Sequence, residues 1–376
     1  METTANLVRL SDGASVRWRN RQVANDTRGY LAAMLAKELA DTDAFTGELL
    51  DLLRVFGSLD ENFKYRGSTR SGYSEDLDVH EFPQPVPPLD FRALVESGFW
   101  KEHFYQPVDY LWQATMFQPV GGMDMIVKAF RKKLEQVIKL EAEVIGMTLL
   151  GEEGVAVEYR HAGQVHTEVA DYCVSTIPLP VLQNIRLSDF SPGFHEAIQT
   201  VKFAATCKVG WQANKRFWED DPNNIYGGIS WTDHTITQMW YPSNDYFSQN
   251  GTLTGAYNFD DRAEALGEME PNNRLREARQ GAAELHWQFT DEDIVPTSKG
   301  VSIAWHKVPH QLGGWAAWNP RNSEHRQAYK QLLQPEGDDR FFVAGDQVSP
   351  LPGWQEGAMM SAHYVIEQIL GICRSR

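Results

Sequence analysis

The sequence is poor in cysteine and in long apolar runs. Its three cysteines, Cys173, Cys207 and Cys373, are scattered and form no C-x-x-C pair. That argues against a disulfide framework or zinc ribbon and for a reducing, cytoplasmic setting. No stretch of about 18 apolar residues occurs, so no membrane-spanning helix is expected. The opening METTANLVRLSDG lacks the basic start and apolar stretch of a secretion signal. Positive charge is scarce: 35 Lys and Arg stand against 51 Asp and Glu, a net charge of −16. Such a chain is a poor match for nucleic acid or an anionic membrane, whose phosphates attract basic faces. There is no G-x-S-x-G elbow and no G-x-x-x-x-G-K phosphate loop. The first 60 residues carry no strand, G-x-G-x-x-G and helix unit of the kind that cradles a diphosphate.

What is present is an ordinary globular balance over 376 residues, 42% hydrophobic and 23% charged, enough for one large domain or two intertwined ones. Twelve Trp beside 18 Phe and 13 Tyr imply a large aromatic core or a flat, aromatic-walled pocket. Leu31, Met34, Leu35 and Leu39, then Leu49, Leu52, Leu53 and Phe56, recur at helical spacing, and Asp26 suits an N-cap. A loop rich in Gly, Ser and Pro spans 65–88. Helical pattern follows over 91–112 and again over 123–140. From 144 to 176 the alternation of VAVEYR and VHTEVADYCVSTI predicts strands around a turn at Gly163. Helices are expected over 191–201, 271–289 and 354–370, and strands over 205–212, 225–257, 301–305 and 340–344. The pattern as a whole is α+β with a mixed sheet in the middle.

The densest chemistry lies in RFFVAGDQVSPLPGWQEGAMMSAHYVIEQI. An apolar strand ends at Gly345-Asp346, and Gly353-Trp354 opens a helix. Glycines at both ends let a flat ligand approach the backbone, and a helix N-terminus offers unpaired N–H groups to an anionic or electron-accepting group. Asp346 at the strand end can accept hydrogen bonds from sugar-like hydroxyls. An acidic residue in a plain strand–turn–helix is the competing reading. His306 and His310 stand four apart, but Pro309 intervenes and no metal site is expected. His161 and His166 flank a hairpin turn and are expected to be solvated.

Four segments in order resemble the flavin-containing amine oxidase family, which includes monoamine, polyamine and L-amino-acid oxidases. FQPVGGMDMI is similar to its Gly-Gly-Met turn before a helix. EVIGMTL with YCVSTIPLPVLQNI is similar to its central strands, AATCKVGWQANKRFW to its strand with one lysine, and VAGDQVSPLPGWQEGA to its closing flavin motif. Within the family the L-amino-acid oxidases fit best. MWYP and AWHKVPHQLGGW resemble their substrate-side segments, and GSTRSGY resembles the larger L-glutamate-oxidase-like members. The resemblance implies FAD as cofactor and an incomplete FAD-binding, Rossmann-like domain in two parts, 117–190 and 336–376. It further implies a mixed-sheet substrate domain over 191–335 and a helical region over 1–116. It also implies oxidative deamination of an L-amino acid to a 2-oxo acid, ammonia and hydrogen peroxide, with O2 as oxidant.

By the same resemblance Val144 would hold the adenine through its backbone, and Ser175 and Thr176 would line the cofactor path. Gly345 and Asp346 would meet the ribityl or diphosphate region. Gly353 would open the turn in which the N–H groups of Trp354 and Gln355 face the flavin's pyrimidine edge. Lys208 would be the catalytic residue, holding a water near the flavin. Trp315 and Trp354 would wall the substrate, with Trp240 or Tyr241 as a third face, only one of which can point inward because adjacent strand residues face opposite sides. Core packing is the alternative for each aromatic, and an exposed strand lysine the alternative for Lys208. Arg66 or Arg70 is a weaker candidate for a carboxylate partner.

The absent glycine-rich unit leads us to expect that a second chain or an upstream segment completes the FAD site, or that the chain is a cofactor-free remnant. An exposed sheet edge, poor solubility and weak flavin retention should follow. An amine or polyamine oxidase on the same fold is the competing enzymatic reading, and a homodimer is open.

Overall fold

In the computed structural model, residues 7–10, 16–39, 46–74, 84–101 and 117–375 are described. Strands β1 (Leu7–Leu10) and β2 (Val16–Arg19) precede helices α1 (Asn20–Leu39), α2 (Thr46–Gly57) and α3 (Phe91–Glu96). Helix α4 (Asp124–Leu134) leads to β3 (Glu143–Leu149), β4 (Val155–His161), β5 (Gln164–Ala170) and β6 (Cys173–Ser175). A single turn, α5 (Leu179–Leu182), β7 (Arg186–Ser188) and α6 (Pro192–Thr200) follow. Next come β8 (Thr206–Ala213), β9 (Gly228–Thr232), β10 (Gln238–Tyr241), β11 (Gly251–Phe259), α7 (Asp260–Gly267), α8 (Pro271–Leu285) and β12 (Gly300–Ala304). Helix α9 (Ser323–Leu332), β13 (Phe341–Val343) and α10 (Gln355–Ser375) close the chain. Contacts divide these elements into two units. The first is 1–114, 207–258 and 265–303, and the second is 115–206, 259–264 and 304–376.

The first unit is built on a mixed sheet of order β12-β8-β11-β10-β9-β1-β2. Its edge corrects the sequence reading, because LVRL and VRWR are strands rather than part of a mostly helical region. They pair as a hairpin, with Val8 opposite Trp18, and β1 continues in parallel onto β9. The apolar stripe on α1 is also corrected. Val23, Ala32 and Ala36 are buried, whereas Leu31, Met34 and Leu35 are about half exposed. The small residues face inward because α2 and the following loop press close, with Leu53, Leu59 and Tyr65 completing that cluster. Asp26 caps nothing, since α1 starts at Asn20 and Asp26 lies inside it, fully buried. Its carboxylate accepts from Tyr65 Oη at 2.6 Å, Ser71 Oγ at 3.0 Å and the Leu89 N–H at 2.8 Å. Three donors offset the cost of burying that carboxylate. The expected helix over 91–112 ends at Glu96, with one 3-10 turn at Phe99–Lys101, and its remainder lies outside the described residues.

One face of this sheet is sealed. Trp211 of β8 packs edge-on against Phe289 at 5.3 Å, and Gly255 of β11 lies beneath the Trp211 ring. On the other face β8 presents Lys208, Gly210 and Gln212, all less buried than their neighbours. Strand β11 breaks its alternation at Gly255 and Ala256, both buried, so Thr254 and Tyr257 both fall among its accessible residues. One extra residue in a strand has this effect, as in a β-bulge.

The second unit contains a four-stranded sheet, β5-β4-β3-β7, and a parallel pair, β6 with β13. Strands β3 to β5 form the predicted antiparallel meander, and β7 joins β3 in parallel. The core beneath includes Leu179, Leu182, Phe194, Ile198, Leu332 and Phe341. Helix α6 is set by Ser191, whose Oγ accepts the Phe194 N–H at 3.1 Å, and by Pro192 in the first turn. Helix α4 forms as expected yet buries no residue.

Candidate functional site

Within the second unit, three polar ends converge. Strands β6 and β13 run parallel in register, Phe341 opposite Cys173 and Val343 opposite Ser175, so both finish at one edge. The Ala344 N–H donates to the Ser175 carbonyl at 2.9 Å. Gln347 ties the two exits together. Its Oε1 accepts from the Leu179 N–H at 2.8 Å, and its Nε2 donates to the carbonyls of Ile177 at 3.0 Å and Ala344 at 3.2 Å. Ser175 is buried, and its Oγ has no hydrogen-bond partner among the described residues. Thr176 is exposed.

The turn to α10 is held by Asp346, whose Oδ2 accepts the Gly353 N–H at 2.7 Å. Gly353 has φ +83°, and a Cβ there would meet Trp315 Cβ at 3.3 Å, so glycine permits both the backbone and the contact. Trp315 and Trp354 are half-buried, and Trp315 packs edge-on against Phe259 at 5.4 Å. The helix starts at Gln355, one residue later than the sequence suggests. The Trp354 N–H donates to the Leu351 carbonyl at 3.2 Å, which removes it from the pair expected to meet a ligand. The first-turn N–H groups from Gln355 onward have no acceptor within the helix. In the same unit Val144 pairs with Tyr159, while β7 covers the opposite edge of β3 only from Gly146.

Lys208, Trp240 and Tyr241 belong to the first unit. Lys208 Nζ lies 4.2 Å from the centre of the Tyr257 ring, and the Tyr257 and Trp240 rings are 5.8 Å apart. Trp240 Nε1–H donates to Oε1 of the buried Gln238 at 2.8 Å, which fixes the indole. Lys208 keeps contact with solvent, yet the surrounding protein pulls its pKa below the ordinary lysine value through burial. Lys208 is thus an exposed strand lysine, as the sequence also allowed, with its ammonium against the Tyr257 ring. Burial pushes the Tyr257 phenol up to about 12.

Tyr241 does not share that face. It is 5% exposed, its hydroxyl donates to Ser230 Oγ at 2.9 Å, and it lies 2.6 Å from His286 Nε2. Strand alternation sends Trp240 one way and Tyr241 into the core. His286 is 2% exposed, and burial, with Arg17 and Arg19 nearby, lowers its pKa to about 3, so the ring is neutral.

The weaker candidates are engaged locally or exposed. Arg70 donates to the carbonyls of Phe56 at 3.0 Å and Val55 at 3.1 Å, closing the end of α2. Arg66 pairs with Asp60 at 3.4 Å and is 72% exposed. His306 stands in a 3-10 turn with Nδ1 3.2 Å from the Thr206 carbonyl, His310 is exposed, and no metal-holding cluster occurs among the described residues. His166 stacks on Tyr159 at 5.4 Å, and His161 Nδ1 lies 3.2 Å from the Glu141 carbonyl, so neither is simply solvated. Sequence reasoning missed Tyr257, Gln238 and Gln347. The crowded apolar pattern of TLTGAYNF hid the first, and the partners of the other two lie outside any motif.

Among the described residues no helix is long and apolar enough to cross a membrane. A solved putrescine oxidase bound to putrescine shares the fold, with a TM-score of 0.61 and 17% identity over 97% of this chain and 81% of that one. The flavin-dependent L-tryptophan oxidase RebO of Lentzea aerocolonigenes is 30% identical over 98% of this chain. The putative L-amino-acid oxidase YobN of Bacillus subtilis is 26% identical over 68%. The chain spans 78% of the first relative's length and 53% of the second's. The model of the flavin containing amine oxidoreductases matches residues 29–370. With a mixed α/β architecture and a turn-and-helix cradle on one unit, the chain belongs to the flavin-containing amine oxidoreductase family.

Proposed function

We propose that this protein is an FAD-dependent L-amino-acid oxidase, or the larger part of one. It would convert an L-amino acid and O2 to a 2-oxo acid, ammonia and hydrogen peroxide. The family implies FAD, and the second unit fits it. The observation that carries the reading is Ser175: a buried hydroxyl with no partner among the described residues, at the joint end of two parallel strands, beside Gly345 and Asp346. Ligands of open α/β sheets bind at such carboxyl ends. In this reading Ser175 and Thr176 line the cofactor path, Val144 offers its backbone edge, and Asp346 accepts from a ribityl or ribose hydroxyl. The first turn of α10, from Gln355, places N–H groups and a partial positive charge where an electron-rich ring edge would be stabilised.

When bound, FAD supplies the two-electron acceptor for the substrate Cα–H bond. The protein's own residues bind and orient. Trp315, Trp354 and Trp240 supply aromatic walls, and Lys208 holds a water through a donated hydrogen bond. A lysine with a lowered pKa gives up a proton more readily than an ordinary one.

The domain assignment is part of the proposal, with the flavin-binding part over 117–190 and 336–376, the substrate-binding part over 191–335 and the helical region over 1–116. We also propose that a further polypeptide segment, on this chain or a second one, completes the flavin site. Support comes from the surface of the second unit. Val127, Phe130 and Val137 on and after α4 are 65%, 48% and 73% exposed, and among the described residues β6 pairs with β13 alone. Exposed apolar surface of this kind marks an interface.

The test is colour and turnover. Purified full chain, with FAD added, should become yellow and release peroxide from at least one of the twenty L-amino acids. Peroxide from amines alone would move the assignment to the amine or polyamine oxidases, and a colourless protein without turnover would identify a cofactor-free remnant.

A further inference from the structure

We propose that Tyr257 is a positioning residue for Lys208, its ring face fixing the ammonium on the accessible side of the first unit's sheet. The inference deepens the oxidase reading and rests on it for its functional meaning, while its geometry stands alone. Lys208 comes from β8 and Tyr257 from β11, adjacent strands in the sheet. The broken alternation of β11 at Gly255 and Ala256 brings Tyr257 onto the accessible side. Nζ lies 4.2 Å from the ring centre, inside the range over which an aromatic quadrupole attracts a cation. Trp240, itself anchored by Gln238, contacts the Tyr257 ring at 5.8 Å between centres, tilted by 57°. A buried amide, an indole, a phenol and an amine are therefore in contact one after the next.

The electrostatics around Lys208 are simple. Among the described residues, burial is the cause of its lowered pKa. Tyr257 is the titratable group that faces it from β11. Strand β12, its other neighbour, reads GVSIA and brings none. Arg274 acts on Cys207 rather than on Lys208. Burial favours the neutral amine and the ring favours the ammonium, so the ring sets how far the amine's protonation falls.

The test reads Lys208 directly, without flavin or substrate. Full chain is labelled with an amine-acylating reagent across a pH series, and mass spectrometry follows modification at Lys208. Tyr257→Phe keeps the ring face and should reproduce the wild-type midpoint. Tyr257→Leu keeps apolar bulk and should lower the midpoint by about 0.5–1 pH unit. Tyr257→Trp, a stronger cation partner, should raise it. If the leucine variant does not fold, the order Trp above Tyr and Phe still decides. A flat series, or a phenylalanine variant displaced as far as the leucine one, overturns the proposal. Absence of peroxide release in the separate turnover assay would sink the oxidase reading and leave this order untouched.

Discussion

Helices α1 and α4 teach opposite lessons about what an apolar stripe means. Helix α1, in the first unit, turns Leu31, Met34 and Leu35 outward, about half exposed, yet it buries Val23, Asp26, Ala32 and Ala36. Helix α4, in the second, gathers Val127, Phe130 and Leu134 into one seam and buries none of them. A helix packs when a neighbour fits its surface, and small residues with one well-satisfied carboxylate suffice for α1. Segregation alone does not bury α4, because among the described residues its neighbour is missing. The first unit satisfies its buried carboxylate internally, whereas the second leaves the α4 seam exposed among the described residues.

The comparison breaks most visibly at Asp26. Replacing it with alanine strands the donors of Tyr65, Ser71 and Leu89 in a buried place. We expect a loss of about 3 kcal/mol or more in urea unfolding of the full chain. Asn at the same position keeps acceptor capacity and should cost less. If the alanine variant unfolds like wild type, the closure of the first unit does not depend on this carboxylate.

In the second unit Gly357, in the first turn of α10, is a tight point. A Cβ there would sit 2.3 Å from the Leu351 carbonyl oxygen and 2.4 Å from Ser349 Oγ. Gly357→Ala should push the start of α10 off its turn, at about 2 kcal/mol, and should weaken flavin retention more than Asp26→Ala does. Equal flavin retention in the two variants would separate the cradle from α10.

A smaller effect is expected from pH. His286 is held neutral, with its pKa lowered to about 3 chiefly by burial, against an ordinary value of 6.5. The unfolded chain therefore takes up the proton first as pH falls. The stability tied to neutral His286 is complete above pH 6.5 and is lost progressively as pH drops toward 3. At pH 5.5 the loss should be about 1 kcal/mol. His286→Gln should remove that slope from pH-dependent unfolding, and an unchanged slope would assign it to other groups.

How much of this was legible in the sequence follows the same division. The meander β3 to β5, helix α6, strand β8 and helix α10 were legible because their signals are local: alternation, a Ser-Pro start, a Gly-Trp opening. The turn from Gly345 to Gly353 was likewise readable from its glycines. Asp26 was misread as a cap because its partners sit 39, 45 and 63 residues away. The hairpin of β1 and β2 was missed because LVRL and VRWR are short and polar, and β9, their support, lies more than 200 residues further on. Alternation established that only one of Trp240 and Tyr241 faces Lys208 but could not say which, since that depends on Ser230 and His286 closing around the phenol. Tyr257 was hidden because β11 buries both Gly255 and Ala256, which breaks the alternation that would have placed it.

The smallest expected effect on stability is also the sharpest test of the contrast between the helices. Phe130→Glu on α4 changes a side chain that is already 48% exposed, so the unfolding free energy should stay within about 0.5 kcal/mol of wild type. Its association should change far more. An exposed apolar seam favours self-association, and a carboxylate placed in the seam opposes it. Light scattering of the full chain should show smaller particles for the variant at equal concentration. A control on the first unit, Leu35→Glu at a residue 54% exposed on α1, should leave particle size unchanged. If both substitutions reduce association equally, exposed apolar residues act generically and α4 is no special seat. If only Phe130→Glu does so, the seam is where the second unit seeks its missing layer, and flavin uptake should then fall on titration with a polypeptide that competes for it.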